Sequence, residues 1–273
     1  MKSAILKWPL ISKSLREADL LYLFLDYDGT LTPIVDSPEK AILPSEMKGV
    51  LQELSKMPHI KVAIVSGRSL FDLKDMVGLK NLVYVGNHGY EINGKDLQLK
   101  SLITPNLRNI FEVIKQEFNN LLPEMEGAWL EDKGATLSIH YRLVKDRKVV
   151  PLRKNVARIV KRYFRNREIK IGEGKKVIEI RPPFAWDKGK AVSWILRQEQ
   201  FISRGRNILP IYIGDDITDE DVFVTLYKKG ITIFVGDLKR RPSRAQYYLQ
   251  DTTEVADFLT RVLNLTKHEA HAG

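Results

Sequence analysis

Residues 20–30 read LLYLFLDYDGT: six apolar side chains in a row, then two carboxylates two positions apart, a glycine and a threonine. An unbroken apolar run has no wet face, so it predicts a strand covered on both sides, as in a parallel sheet. The glycine marks the turn that ends the strand. Asp26 and Asp28 therefore fall at its carboxyl end, the side on which open parallel sheets bind their ligands.

The pattern repeats outward from this strand. A helix is predicted over Ser45–Lys56, with Met47, Val50, Leu51 and Leu54 on one face. The strand Ile60–Val65 stops at Ser66-Gly67, a helix follows near Ser69–Val77, and Leu82–Val85 runs as a strand into Gly-Asn-His-Gly. Late in the chain come a helix at Lys188–Gln200, a strand at Leu209–Ile213 ending in Gly-Asp-Asp, and a helix at Glu220–Lys228. A strand at Thr232–Val235 and a closing helix at Thr253–Leu263 complete the series, and Lys267–Gly273 reads as a frayed tail. Such alternation predicts βαβ units and a parallel sheet.

The middle of the chain breaks the pattern. A helix at Asn106–Leu121, strands at Ala128–Asp132 and Thr136–Tyr141, a basic helix, and strands at Glu168–Gly172 and Lys176–Arg181 predict an α+β lobe with a mainly antiparallel sheet. The expected fold class is α/β: a doubly wound, Rossmann-like parallel-sheet core in two parts, 1–96 and 184–273, around an inserted α+β lobe at 97–183. The first 19 residues read equally as a short helix or as a partner-binding arm.

Composition narrows the function. At 273 residues, the chain has room for about two domains of ordinary size. With no cysteine, disulfides, thiolate metal sites and cysteine nucleophiles are excluded. No apolar run approaches the roughly 20 residues that span a bilayer, and the N-terminus is too interrupted for a signal peptide. A cytoplasmic protein without a membrane role is expected. The net charge of +10 resides in Lys145–Lys176, where 13 Lys/Arg face 3 Asp/Glu; the rest balances at 31 and 31. Within Arg153–Arg165, Val156, Ile159, Val160, Tyr163 and Phe164 fall at i, i+3, i+4, i+7 and i+8, with Lys154, Arg158, Lys161, Arg162 and Arg165 between them. That predicts an amphipathic helix with one packed and one solvated face. No nucleic-acid partner is expected, since interleaved aromatics and groove-reading motifs are missing. Gly172-Glu-Gly174-Lys175 lacks the full spacing of a phosphate-binding loop, and no Gly-x-Ser-x-Gly elbow occurs.

The strand ends carry the chemistry. Asp26 and Asp28 follow the first strand, Ser66 and Arg68 the second, and Asp215, Asp216 and Asp219 a late one, while Lys188 opens a helix between them. Carboxylates crowded beside a sheet edge repel one another unless a cation neutralises them, and hard oxygen ligands suit Mg²⁺. Phosphoryl transfer uses such a set. One carboxylate attacks phosphorus, a second moves the proton, and a lysine and a hydroxyl hold the phosphoryl oxygens. Asp26, Asp28, Lys188 and Ser66 fill these roles. Taken singly, each Asp also reads as a helix cap or turn residue.

LFLDYDGTLTPI, VSGRS, DKGKA and YIGDDITDEDVF resemble, in order, the four signatures of the haloacid dehalogenase superfamily of phosphatases. GNHGYEI, GAWLEDKGATLSIHYR and VIEIRP further resemble the trehalose-6-phosphate phosphatase family within it. The similarity covers about Leu20 to Val235. It implies Asp26 as nucleophile, Asp28 as general acid/base, and Ser66 and Lys188 as phosphate ligands. It implies Mg²⁺ on Asp26, the backbone carbonyl of Asp28, and Asp215, with Asp216 and Asp219 supporting them from behind. The lobe becomes a mobile cap, and Glu131, Lys133 and Glu179, with Arg142 less firmly tied, become sugar contacts. Otherwise they read as outward-facing strand charge. Arg68, Asn87 and His88 would also meet the substrate; His140 reads equally as core, and Trp129 as packing. The implied activity is Mg²⁺-dependent hydrolysis of trehalose 6-phosphate through an aspartyl-phosphate, with a separate trehalose-phosphate synthase as the one protein partner suggested. Alternatives are a phosphatase of another sugar phosphate, such as glucosylglycerol or sucrose phosphate, or a non-catalytic sugar-phosphate sensor.

Overall fold

The chain starts with a short strand, β1 (Lys2–Ser3), and a helix, α1 (Trp8–Arg16). Strand β2 (Leu20–Asp26) is buried from end to end. It is followed by α2 (Ser45–Leu54), β3 (Ile60–Val65), α3 (Leu70–Val77), β4 (Val83–Gly86), β5 (Glu91–Asn93) and β6 (Gln98–Leu99). The middle holds α4 (Pro105–Leu121), β7 (Trp129–Asp132), β8 (Leu137–His140), α5 (Asp146–Arg165), β9 (Lys170–Gly174) and β10 (Val177–Arg181). The last stretch runs through α6 (Lys188–Ile202), β11 (Ile208–Gly214), α7 (Glu220–Thr225), β12 (Ile231–Val235), β13 (Tyr247–Leu249) and α8 (Thr252–Ala270). This computed structural model describes residues 1–35, 38–95, 97–99, 102–174, 176–238 and 241–270. By its contacts the chain divides into two compact units, one of Met1–Lys100 with Trp186–Gly273 and one of Ser101–Ala185.

In the first unit a nine-stranded sheet has the order β1-β13-β12-β11-β2-β3-β4-β5-β6. Neighbours are parallel from β1 through β4, and β5 and β6 turn back antiparallel. From β2 the chain builds toward β4 on one side and returns on the other through β11, so β2 stands at the switch point where a ligand crevice opens. Its apolar run feeds two cores. Leu21, Leu23 and Leu25 pack with Met47 and Leu51 of α2 and Phe258 of α8. Tyr22 and Phe24 pack on the other face with Ala191 and Ile195 of α6 and Phe223 of α7.

The second unit has an antiparallel sheet in the order β7-β8-β10-β9. Leu137, Ile139, Ile178 and Ile180 share one face, on which Asp132 meets Lys115 of α4 at 2.6 Å and Glu173 meets Arg153 of α5. The opposite face carries Trp129, Glu131, Ser138, His140, Glu179 and Arg181.

Several expectations need correcting. The N-terminus is a docked strand and helix: β1 pairs with β13, Ile11 and Leu15 are buried, and Trp8 meets Phe258 edge-on at 5.7 Å. The short strands β5, β6 and β13 were not expected. Helix α5 starts at Asp146 and passes through Pro151. Within it Val156, Ile159, Val160 and Tyr163 are buried as the pattern requires, but Phe164 is 53% exposed. The closing helix continues past Lys267, whose ammonium reaches Glu53 at 3.3 Å, to Ala270; residues 271–273 lie outside the described residues. No helix among the described residues is long and apolar enough to cross a membrane.

Candidate active site

Strand β2 delivers Asp26, 4% exposed, to the sheet's carboxyl edge. Helix α6 starts where the Asp187 carboxylate accepts the Lys190 N–H at 2.8 Å, which sets Lys188 at its first position. The Lys188 ammonium, 3% exposed, donates to Asp26 at 2.6 Å and to Asp219 at 2.7 Å. Asp219 is spoken for on both oxygens: Oδ1 also accepts from the Tyr212 hydroxyl at 2.6 Å, and Oδ2 accepts the Asp216 N–H at 2.8 Å. Asp216 itself is exposed and caps the turn that carries Asp219.

Asp26, Asp215 and Asp219 each present an oxygen within 4.8 Å of the others. Burial pushes the Asp26 carboxyl well above the usual carboxylate range, and Asp219 and Asp215 add to it against the opposing pull of Lys188. Asp215 is pushed up to about 7 by burial and by Asp219 and Asp216. For Lys188, burial alone would lower the pKa, but Asp219 and Asp26 outweigh it and the net shift is upward. Buried Asp215 Oδ1 has no hydrogen-bond partner among the described residues. Gly29, at φ +80°, leaves room for that carboxylate, which a Cβ would overlap. A hard divalent cation fits this donor set, because its charge would offset the crowded carboxylates and engage the orphaned oxygen.

Asp28 is gripped by a planar fork: Arg68 Nε donates to one carboxylate oxygen at 2.8 Å and Nη2 to the other at 2.6 Å. Burial would lower the Arg68 pKa, but the Asp28 partnership overcomes it and the shift is upward. Ser66 is buried, and its hydroxyl accepts the Arg68 N–H at 3.1 Å. The loop after β4 fastens to this one through Asn87 N–H to Arg68 O at 2.7 Å and His88 N–H to Ser66 O at 3.0 Å. Asn87 and His88 both take left-handed backbone, at φ 51° and 55°. The buried Asn87 amide donates to Glu91 at 2.5 Å, while the His88 ring lies where a Gly67 Cβ would fall.

The other sequence candidates gather in the second unit, on the sheet face away from its helices. Glu131 meets His140 Nε2 at 2.7 Å and the Lys133 ammonium at 3.6 Å, and Lys133 also lies 4.0 Å from Glu179. Arg181 donates through Nε to Glu179 at 2.8 Å and also pairs through Nη2. Burial would raise the Glu131 pKa, but His140 and Lys133 outweigh it and hold the carboxyl below its usual range. Trp129 does more than pack: it is 43% exposed and stacks on His140 with ring centres 3.9 Å apart. Arg142 stands exposed beyond β8, outside the cluster.

Sequence reasoning missed Tyr212, whose hydroxyl anchors Asp219, and Arg241. Arg241 donates to the Asp215 carbonyl at 3.1 Å and to Glu220 at 3.2 Å, and Glu220 accepts the Arg244 N–H at 2.9 Å. A buried tyrosine hydroxyl needs a partner, which was a usable signal for Tyr212. For Arg241 nothing in the local pattern served.

A doubly wound core with carboxylates and a lysine converging at its strand ends is the architecture of haloacid dehalogenase-type hydrolases. A haloacid dehalogenase-like hydrolase from Bacteroides thetaiotaomicron shares the fold at 16% identity and TM-score 0.62, over 89% of this chain and 99% of that one. The chain belongs to the trehalose-phosphatase family, whose model matches residues 24–253. It is 36% identical over 266 residues to probable trehalose-phosphate phosphatase 4 of Oryza sativa subsp. japonica, covering 96% of this chain and 70% of that protein. It is 35% identical over 259 residues to trehalose 6-phosphate phosphatase RA3 of Zea mays, covering 89% and 70%. The C-terminal domain of C. albicans trehalose-6-phosphate phosphatase has the same fold, with TM-score 0.75 and 24% identity over 94% of this chain and 96% of that one.

Proposed function

We propose that the protein hydrolyses trehalose 6-phosphate to trehalose and phosphate with Mg²⁺, through a phosphate ester of Asp26. The buried chain Asp26–Lys188–Asp219, with Asp28 two residues on, carries this conclusion. The names of the relatives supply the substrate.

An Asp26 oxygen attacks phosphorus, and the bond from phosphorus to the sugar oxygen breaks. Asp28 gives that leaving oxygen its proton. Water then attacks the phosphorus of the aspartyl-phosphate, Asp28 takes a proton from it, and the bond to Asp26 opens to release phosphate. Lys188 pulls the Asp26 pKa down against burial and aims the carboxylate, and with Ser66 holds the phosphoryl oxygens. Asp26 and Asp215, with the Asp28 carbonyl that the family resemblance implies, would hold Mg²⁺, while Asp219 accepts on both of its oxygens within the protein. When bound, the metal supplies positive charge that lets a carboxylate approach an anionic phosphate. Arg68 holds Asp28 in place until substrate competes for its fork.

Sugar recognition is assigned to Glu131, Lys133 and Glu179 of the second unit, whose alternating donors and acceptors suit a ring of hydroxyls. Association with a separate trehalose-phosphate synthase belongs to the same proposal, and co-elution with that enzyme tests it. The main test is phosphate release from a sugar-phosphate panel, with Mg²⁺ and with a chelator. Metal-dependent release from trehalose 6-phosphate is expected. Release from sucrose or glucosylglycerol phosphate instead would keep the chemistry and overturn the substrate, and no release at all would overturn both.

A further inference from the structure

The basic helix of the second unit carries a surface that phosphate-ester hydrolysis does not use. Along α5, Lys154, Arg158, Lys161 and Arg165 recur at i, i+4, i+7 and i+11, one stripe about 16 Å long at 1.5 Å per residue. All four are exposed, and none has an ion pair or side-chain hydrogen bond among the described residues. The neighbouring Glu173 is already taken by Arg153. Phe164 borders this stripe, 53% exposed although its apolar companions are buried.

Across from this stripe runs β9. It ends the order β7-β8-β10-β9, so one of its edges has no strand beside it among the described residues. Ile171, on the sheet face that meets α5, is 37% exposed. Lys154, Arg158, Lys161, Phe164, Arg165 and Ile171 line a groove of about 540 Å³ between helix and strand. Phe164 and Arg165 also border a second hollow of about 420 Å³, whose lining, like that of the first, contains no carboxylate.

Three properties coincide here: cations without counter-charges, an apolar floor at Phe164 and Ile171, and an open strand edge. An open edge offers backbone donors and acceptors to an extended chain, and side chains on either hand supply selectivity. We propose that the α5–β9 groove docks an extended acidic segment of a partner protein. The segment adds a strand to β9, seats an apolar side chain against Phe164 and Ile171, and sets carboxylates on Lys154, Arg158, Lys161 and Arg165. A lipid surface would favour a flat or convex cationic face over a groove. Single-stranded nucleic acid would call for several stacking aromatics, whereas the groove has one.

A fluorescent decapeptide alternating Glu and Val is the probe, titrated by anisotropy against the full chain. It is expected to bind, and to lose affinity as ionic strength rises from about 0.05 to about 0.5 M. The double variant Arg158→Glu, Lys161→Glu should weaken it about tenfold or more. Amide exchange of β9 should slow when the peptide is bound, which charge attraction alone would not cause. Phosphate release from trehalose 6-phosphate should be unchanged in the double variant, so failure of docking is read separately from failure of the phosphatase assignment. Absence of binding, binding indifferent to charge reversal, or unaltered β9 exchange would overturn the proposal. So would tighter binding of phosphatidylserine vesicles or of oligo-dT than of the peptide.

Discussion

Asp26 is held by one ammonium and repelled by two carboxylates, in a place where water can help neither. Its charge is therefore costly to the fold. Asp26→Asn should lower phosphate release by about 10⁴-fold or more, as loss of the proposed nucleophile would. The melting temperature should hold or rise, because one member of the repelling set is gone. Glu131 presents the opposite case. His140 and Lys133 hold its folded pKa below the ordinary value of 4.5, so it contributes stability above that value and loses it as pH falls through the lowered one. Glu131→Gln should thus melt at a lower temperature than wild type at pH 7, and the difference should shrink at a pH well below 4.5. Equal gaps at both values would show that the pair carries no such linkage. Asp26, Asp28 and Lys188 were legible in the sequence because each breaks an apolar pattern at a strand or helix end. Arg241 was not, because it acts on a carbonyl 26 residues away and nothing in its own neighbourhood marks it.

At the scale of elements, the long buried strands were legible to within a residue or two, since an apolar run of six or seven admits few other readings. Strands β1, β5, β6 and β13 are two or three residues long, too short for periodicity to register. The apolar pattern of Arg153–Arg165 marks only part of α5, which begins at Asp146; its buried residues, from Leu152 to Tyr163, all lie beyond Pro151, so the first turns carry no apolar period to read. Helix placement also sets the site. At Gly189, beside Lys188, a Cβ would run into the Asp221 carbonyl and the Thr225 hydroxyl of α7. Gly189→Ala should push α6 outward, carry Lys188 from its carboxylates and lower phosphate release about 100-fold. Gly49 of α2 has open space around it. Gly49→Ala should leave turnover alone and stabilise the fold by about 0.5–1 kcal/mol. Urea unfolding and phosphate release, measured on both variants, check the contrast. Equal effects would mean that the α6–α7 contact does not position the lysine.

Over the whole molecule, charge is unevenly spent. The net +10 arises in Lys145–Lys176, while the first unit gathers Asp26, Asp215 and Asp219 around a single lysine. Composition revealed the first imbalance but could not bear on its use, because a solvated helix face and a docking face have the same sequence pattern; the exposed Phe164 and the open edge of β9 are what support the docking proposal. The second imbalance makes the metal-free fold less stable than it could be. A cation bound only by the folded state should therefore stabilise the protein by about 2.7 kcal/mol at a hundred times its dissociation constant. For a chain of this size that corresponds to a rise in melting temperature of about 5–10 °C on adding Mg²⁺, reversed by a chelator. Asp215→Asn should abolish the Mg²⁺-dependent rise, since it removes a proposed ligand. It should also raise the metal-free melting temperature, since it relieves the repulsion that burial and Asp219 impose on that carboxyl. A variant that keeps the full Mg²⁺ response would move the cation away from Asp215, and one that melts lower without metal would show that the carboxylate cluster supports the fold in its own right.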